Sequence, residues 1–193
     1  MLRISFRRGD LMGMAAPTYY SAASVRALPE DCKRYETVHG ELLVTPSPRL
    51  IHQRIVRRLL LALGNYLERE PVGEVFTSPA DISWSDDTLV QPDLFVADPS
   101  ESSTQEWSRV KTLLLVVEVL SPGTARFDRF TKRRLYQEHQ IPLYWIVDPD
   151  RRVVEVWRPE MEFPEVERER LVWLPAGTDT EFEFRLDELF GSL

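Results

Sequence analysis

The chain has 193 residues, of which 43% are hydrophobic and 28% are charged, and this composition suits one compact domain with a substantial core. The formal net charge of -7 argues against general binding of polyanions, although a local basic surface could still contact nucleic acid. No apolar run in the sequence approaches the roughly 18 residues of a membrane span. The single Cys32 excludes an intramolecular disulfide and a cysteine-rich zinc cluster, and it favours a reducing cytoplasm.

The first 17 residues, MLRISFRRGDLMGMAAP, differ in character from the rest of the chain. They carry a few positive charges, but their apolar stretch is too short for a secretory signal. We therefore predict a poorly ordered extension over residues 1–17 and a single domain over residues 18–193.

The first part of this domain predicts a helix, two strands and a longer helix. TYYSAASVRAL is typical of a short helix with Thr18 as its N-cap, and RYETVHGELLVTP predicts two short strands around a turn at His39-Gly40. Apolar residues then recur at spacing four behind Ser47-Pro48, which predicts an amphipathic helix over about residues 48–69. The polar face of this helix carries His52, Arg54, Arg57 and Arg58.

The second part alternates between strand patterns and one basic helix. EVFTS, ADISW and TLVQPDLFVAD predict short strands, and VKTLLLVVEVL predicts a central strand that is apolar on both faces. ARFDRFTKRRLYQEHQ predicts the basic helix, LYWIVDP and RRVVEVWR predict two further strands, and FEFRLDELF predicts a last strand with a short helix. The fold class is therefore α/β or α+β, a mixed β-sheet flanked by helices.

Two carboxylates stand out because their neighbours are apolar. Asp93 follows Pro92 within LVQPDLFVAD, and Glu118 lies near the end of the central strand. If the two strands are adjacent, both acids can lie at one edge of the sheet, where they repel unless one is protonated or a cation lies between them. A hard divalent ion such as Mg²⁺ would resolve this conflict and could activate water for attack on a phosphodiester.

Three segments in this order resemble the Uma-two family of restriction-endonuclease-like proteins, in the PD-(D/E)XK nuclease superfamily. These segments are QPDLFVAD, LLLVVEVLSPGT and DRFTKRRLYQEHQIPLYWIVDP, and the similarity spans about residues 18–190. The resemblance implies a restriction-endonuclease-like fold and a Mg²⁺- or Mn²⁺-dependent endodeoxyribonuclease. It implies that Asp93 and Glu118 bind the metal, with the Val119 carbonyl and Glu41 as further ligands.

The sequence departs from the superfamily pattern at Leu120, which stands where a lysine usually follows the second acid. Lys111 lies seven residues before Glu118, or about 23 Å along a strand, and therefore belongs to the other end of the sheet. Lys132 lies in the basic helix, on one stripe with Asp128 and Tyr136. Since the family tends to hold its lysine in this helix, the resemblance assigns the catalytic role to Lys132.

A local basic wall would contact DNA if the protein is a nuclease. Its predicted members are Arg126, Arg129, Arg133 and Arg134 from the basic helix, with His52, Arg54, Arg57 and Arg58 from the long helix. By analogy with nucleases that cut duplexes as two-fold dimers, we expect a homodimer.

Each assignment has a structural alternative. Glu118 could pair with an arginine such as Arg126, Asp93 could cap a turn, and Glu41 could be an exposed strand-end residue. Asp128 and Lys132 could form an ordinary surface pair. The protein could therefore also be an inactive nuclease-fold protein that binds nucleic acid or a protein partner, or an interaction domain whose acids form internal salt bridges.

Overall fold

The computed structural model describes residues 18–29, 31, 33–103 and 106–191. The predicted extension over residues 1–17 and the single Cys32 lie outside the described residues. Within the described ranges, no helix has both the length and the apolar character that crossing a membrane would require.

The strands and helices follow the chain order predicted from the sequence, with several additions. The strands are β1 (Arg34–Val38), β2 (Glu41–Thr45), β3 (Glu74–Thr77), β4 (Ile82–Ser85), β5 (Thr88–Val90), β6 (Leu94–Ala97), β7 (Leu113–Val119), β8 (Tyr144–Asp148), β9 (Val153–Trp157), β10 (Glu165–Glu167), β11 (Arg170–Trp173) and β12 (Phe182–Arg185). The α-helices are α1 (Ala22–Arg26), α2 (Leu50–Leu67), α3 (Pro99–Ser102), α4 (Arg133–Glu138) and α5 (Leu186–Phe190). A 3₁₀ turn spans Trp107–Arg109, and a π-helical segment (Phe127–Lys132) leads directly into α4.

A six-stranded mixed sheet forms the centre of the fold, in the order β10-β9-β8-β7-β6-β3. The pair β7 and β8 is parallel, because the helical segment after β7 carries the chain back to the start of β8. The other neighbouring pairs in this sheet are antiparallel. The predicted central strand is therefore confirmed, and the predicted fold class of a mixed sheet flanked by helices is confirmed as well.

The two faces of this sheet are covered by different elements. Alternate side chains of β7 and the residue after it point to opposite faces of the sheet. Val117 and Val119 pack with α2 and α5 on one face, whereas Val116 and Leu120 pack with Leu135 of α4 on the other. The second face also contacts a smaller sheet, in the order β2-β1-β5-β4. Because alternate residues face opposite sides of a sheet, Glu118 must project towards α4.

Local details differ from the sequence prediction at α1, at the basic helix and at two short strands. The N-cap of α1 is Ser21 and not Thr18, because the Tyr20 amide donates to the Gly40 carbonyl and ties the preceding residues to the β1–β2 turn. The basic helix was predicted over residues 125–139 as one regular helix, but its middle is π-helical. The strands β10 and β11 were not predicted, because both are short and lie in a segment with many charged residues.

Candidate active site

Asp93 and Glu118 are brought together by the pairing of β6 with β7. Leu94 pairs with Val117 in this antiparallel register, so Asp93, one residue before β6, lies beside Glu118. Both side chains are buried, with 4% of Asp93 and 1% of Glu118 exposed to solvent. The adjacent strands that the sequence argument required are therefore present.

The Asp93 carboxylate is held by three donors. Arg34 Nη1 donates to Oδ1 at 2.7 Å, His52 Nε2 lies 2.9 Å from Oδ2, and the Val119 amide donates to Oδ2 at 2.8 Å. Burial acts to raise the pKa of Asp93, but the His52 hydrogen bond and the Arg34 charge outweigh it and hold this pKa well below its usual range. Asp93 is thus ionised at neutral pH and does not cap a turn.

Lys132 lies between two buried carboxylates. Its Nζ is 2.7 Å from Glu118 Oε1 and 2.7 Å from Glu36 Oε1, and the residue is fully buried. Burial alone would lower the pKa of Lys132, but Glu118, Glu36 and Asp128 together raise it. The ammonium therefore keeps its proton and acts as the internal counter-ion of the site.

Burial raises the pKa of both Glu118 and Asp128. Burial raises the pKa of Glu118 well above its usual value, which the Lys132 charge offsets only in part. Burial likewise raises the pKa of Asp128 to about 6, although Thr124 and Lys132 act against this rise. The Tyr136 hydroxyl donates to Glu118 Oε1 at 3.2 Å, as the predicted stripe of Asp128, Lys132 and Tyr136 requires.

Glu36 belongs to this cluster and was missed in the sequence analysis. It projects from β1 and is fully buried, and its Oε1 accepts a hydrogen bond from the Gln91 amide at 2.8 Å. Its Oε2 is buried and finds no hydrogen-bond partner within the described residues. Glu118 was selected because it is an acid within a predicted strand, and the segment RYETV has the same pattern. Sequence spacing could not show that this strand packs over the site.

The charges of the cluster do not balance. In the described part of the chain, four buried carboxylates (Glu36, Asp93, Glu118 and Asp128) meet two permanently charged cations (Arg34 and Lys132). Without counting His52, which contacts Asp93, full ionisation would leave a net charge of −2 in a buried region. Such an excess must be relieved by protons, as the raised carboxyl pKa values indicate, or by a divalent cation.

A hard divalent ion fits this donor set in chemistry and in charge. Carboxylate oxygens are its preferred ligands, and Glu36 Oε2 accepts no hydrogen bond among the described residues, although Arg34 Nε lies 3.7 Å from it. No group of three or more His, Cys, Asp or Glu side chains that could hold a metal is preformed among the described residues. Mg²⁺ does not require such a group, because it commonly binds through one or two carboxylates and retains several waters.

The remaining predicted site residues are Glu41, Val119 and His52, and of these Glu41 lies away from the buried acids. Glu41 is exposed at the start of β2, opposite Val38. The Val119 amide is bound to Asp93, while its carbonyl role as a ligand stays a prediction. His52 was placed on the polar helix face, but it is buried against Asp93, because this turn of α2 lies over the strand ends.

The predicted basic wall is divided between exposed and internally bound arginines. Arg54, Arg57, Arg126 and Arg134 are exposed. Arg129 instead lies 2.8 Å from both Asp148 and Glu155, and Arg133 stacks over the Trp157 ring at 4.8 Å. Arg58 donates to the Leu189 carbonyl. The last three arginines therefore hold elements of the fold together, and Glu118 pairs with Lys132 and not with Arg126.

A cavity of about 480 Å³ opens beside Asp93. Buried residues form its base, including Asp93, His52 and Val119, and exposed residues surround its mouth, including Lys33 and Arg49. Of the four buried acids Glu36, Asp93, Glu118 and Asp128, only Asp93 lines this cavity, so a solute inside it can approach Asp93 directly.

Comparison with known proteins gives the family and the fold of this chain. The Uma2 (Uma-two) family model, described as "Putative restriction endonuclease", matches residues 22–187, and the chain belongs to this family. A solved structure, described as a "putative nuclease belonging to DUF820" from Anabaena variabilis ATCC 29413, is similar with a TM-score of 0.72. It is 23% identical over 89% of this chain and 97% of that chain, and this similarity supports the fold alone. A search of curated proteins found no match.

Proposed function

We propose that the protein is a Mg²⁺- or Mn²⁺-dependent endonuclease that hydrolyses phosphodiester bonds in DNA. The observation that carries this proposal is the pair Asp93 and Glu118, which lie side by side at the ends of neighbouring strands, with Lys132 against Glu118. Membership of a restriction-endonuclease-like family supports the same activity. The bound metal would supply a Lewis acid that polarises the phosphoryl group and lowers the pKa of bound water, so that the water can lose a proton to solvent and provide hydroxide as the nucleophile.

The residues around the metal have separable roles in this proposal. Asp93 and Glu118 hold the metal, and Glu36 or the Val119 carbonyl provides a further oxygen. Arg34 and His52 orient the Asp93 carboxylate through the hydrogen bonds described above. Because Glu118, Glu36 and Asp128 raise its pKa, Lys132 is an ammonium in the metal-free protein, and we assign it no general-base role. It acts instead by stabilising the negative charge that develops on the phosphate.

A second function is favoured by the internal partners that the buried acids already have. Lys132 contacts Glu36 and Glu118 at hydrogen-bond distance, and both Asp93 oxygens accept hydrogen bonds from protein donors. A site of this kind can be stable without any metal. The alternative is therefore an inactive nuclease-fold protein that binds nucleic acid or a protein partner.

Metal titration and plasmid nicking test the two functions against each other. We expect Mn²⁺ to bind the wild type, and supercoiled plasmid to be nicked only when Mg²⁺ or Mn²⁺ is present. Glu118→Gln should remove both properties, whereas Glu41→Gln provides a matched exposed control. Binding of metal and DNA without nicking would support the inactive protein, and absence of both would reject the nuclease.

The proposal extends to assembly and location. A two-fold homodimer would let two sites cut the two strands of a duplex, by analogy with other nucleases. Size-exclusion chromatography with light scattering measures this state directly. We place the protein in the cytoplasm because its single cysteine suits a reducing compartment.

A further inference from the structure

The cavity beside Asp93 has exposed charged residues at its mouth and buried residues at its base. Lys33, Arg49 and Gln53 are exposed at the mouth, whereas His52 and Asp93 are buried at the base. A solute that reaches Asp93 must therefore enter the cavity, since Asp93 is 4% exposed. A phosphate that only touches the outer surface of the protein would remain away from the acids.

The charge of the cavity lining is positive although the protein as a whole is negative. Lys33, Arg34 and Arg49 line it, and Asp93 is its one acidic residue within the described ranges. Arg34 forms a partly buried ion pair with Asp93. Lys33 and Arg49 form exposed ion pairs instead, Lys33 with Asp31 at 2.6 Å and Arg49 with Asp150 at 3.7 Å. Such exposed pairs are weak and can exchange for phosphate contacts.

The size and rim of the cavity restrict what can enter. A volume of about 480 Å³ lies in the range of sites for small organic ligands, which is about 300–1,000 Å³. The rim carries the exposed prolines Pro46, Pro48, Pro79 and Pro122, whose fixed φ angles limit the freedom of the surrounding loops. A flexible single strand can adapt its backbone to such a cavity at lower cost than a stiff duplex can.

We propose that this cavity binds one unpaired nucleic-acid strand, with Lys33 and Arg49 contacting the phosphates on either side of the one that reaches Asp93. This inference rests on the proposed nuclease function and specifies its substrate as single-stranded or locally unpaired DNA. It also locates the phosphate contacts at the cavity mouth and not on the exposed arginine Arg134 of α4.

Fluorescence anisotropy with a labelled single-stranded oligodeoxynucleotide tests this inference. The matched duplex is the comparison, Ca²⁺ replaces Mg²⁺, and a gel verifies that the DNA stays intact. Salt concentration is varied because each lost contact to a single strand should reduce the slope of log affinity against log salt by about 0.7. We expect this reduction for Lys33→Ala and for Arg49→Ala, and about twice as much for the double variant. Arg168→Ala, an exposed arginine outside the cavity lining, is the charge-matched control.

Tighter binding of the single strand than of the duplex, with reduced slopes in both mouth variants only, would support the inference. Equal or tighter binding of the duplex would overturn it, as would a reduced slope for Arg134→Ala with unchanged slopes for Lys33→Ala and Arg49→Ala. Plasmid nicking separates this failure from failure of the proposed function. A protein that nicks duplex plasmid but prefers duplex in the binding assay would remain a nuclease with a different substrate path.

Discussion

Replacement of Lys132 by methionine would reveal how far the site depends on its internal counter-ion. Methionine has a similar length and no charge, so Lys132→Met leaves the buried volume nearly filled. It removes the two contacts of 2.7 Å that Lys132 makes with Glu36 and Glu118. With all four carboxyls ionised, the cluster would change from a net charge of −2 to −3.

The expected loss of stability is large because every group involved is buried. Removing one partner of a buried ion pair costs about 3–5 kcal/mol, since the remaining charge is left uncompensated. Protonation of Glu118, whose pKa is already raised, will absorb part of this cost. We therefore expect Lys132→Met to lower the free energy of unfolding by about 3 kcal/mol at pH 7 without metal.

Urea denaturation followed by circular dichroism measures this quantity at equilibrium. Lys111→Met is the control, because Lys111 is exposed, and a surface substitution of this kind usually changes stability by less than about 0.5 kcal/mol. Added Mg²⁺ should stabilise the variant more than the wild type if the metal occupies the region between the acids. Nicking activity should remain lost even where the fold is restored.

The reasoning would be refuted if Lys132→Met were as stable as the Lys111→Met control. In that case the carboxyl groups would be neutral in the folded protein, and the lysine would not be their counter-ion. A variant of wild-type stability that also nicked plasmid normally would remove the catalytic assignment of Lys132.

Three further predictions concern the carboxylates and one arginine. Glu118→Gln should abolish Mn²⁺ binding in calorimetry with the circular dichroism spectrum unchanged, and persistent binding would show that Glu118 is not a ligand. Asp128 has a pKa raised from 3.8 to about 6, so its folded form favours the proton, and it costs stability progressively as pH rises through this interval. Asp128→Asn should thus gain roughly 2.4 kcal/mol relative to wild type between pH 4 and pH 7 in urea denaturation, and an unchanged difference would contradict the raised pKa. Arg129→Ala should lower stability by about 1–2 kcal/mol, because it leaves Asp148 and Glu155 without their cation, and an unchanged melting temperature would argue against this structural role.

The elements with strong local patterns were predictable. The spacing-four pattern gave a helix over about residues 48–69, and the structure has Leu50–Leu67. The apolar run before Ser121 gave the central strand, because a strand buried on both faces needs no alternation of polar residues. The charged segments around residues 165–173 carry no comparable pattern, so the two short strands there were missed.

The candidate site was predictable only in part. Asp93 and Glu118 could be selected because a carboxylate within an apolar strand demands a partner. Glu36 was not selected, since its segment is short and its burial comes from packing of the smaller sheet. Arg129 and Arg133 have internal partners on distant strands, and such partners leave no signal in sequence spacing.

By itself, the sequence determined which residue types must be compensated, because local pattern reports the burial of a strand and the chemistry of a buried acid. It placed Asp93 and Glu118 in apolar strands, and it offered Lys132 on the helix that follows. Only the tertiary structure decided which charges meet, since β1 and α2 approach the same strand ends from opposite faces of the sheet. That approach brings Glu36 to Lys132 and His52 to Asp93. Ion pairing depends on distances of a few ångströms between segments far apart in the chain, and such distances follow from packing of the whole fold.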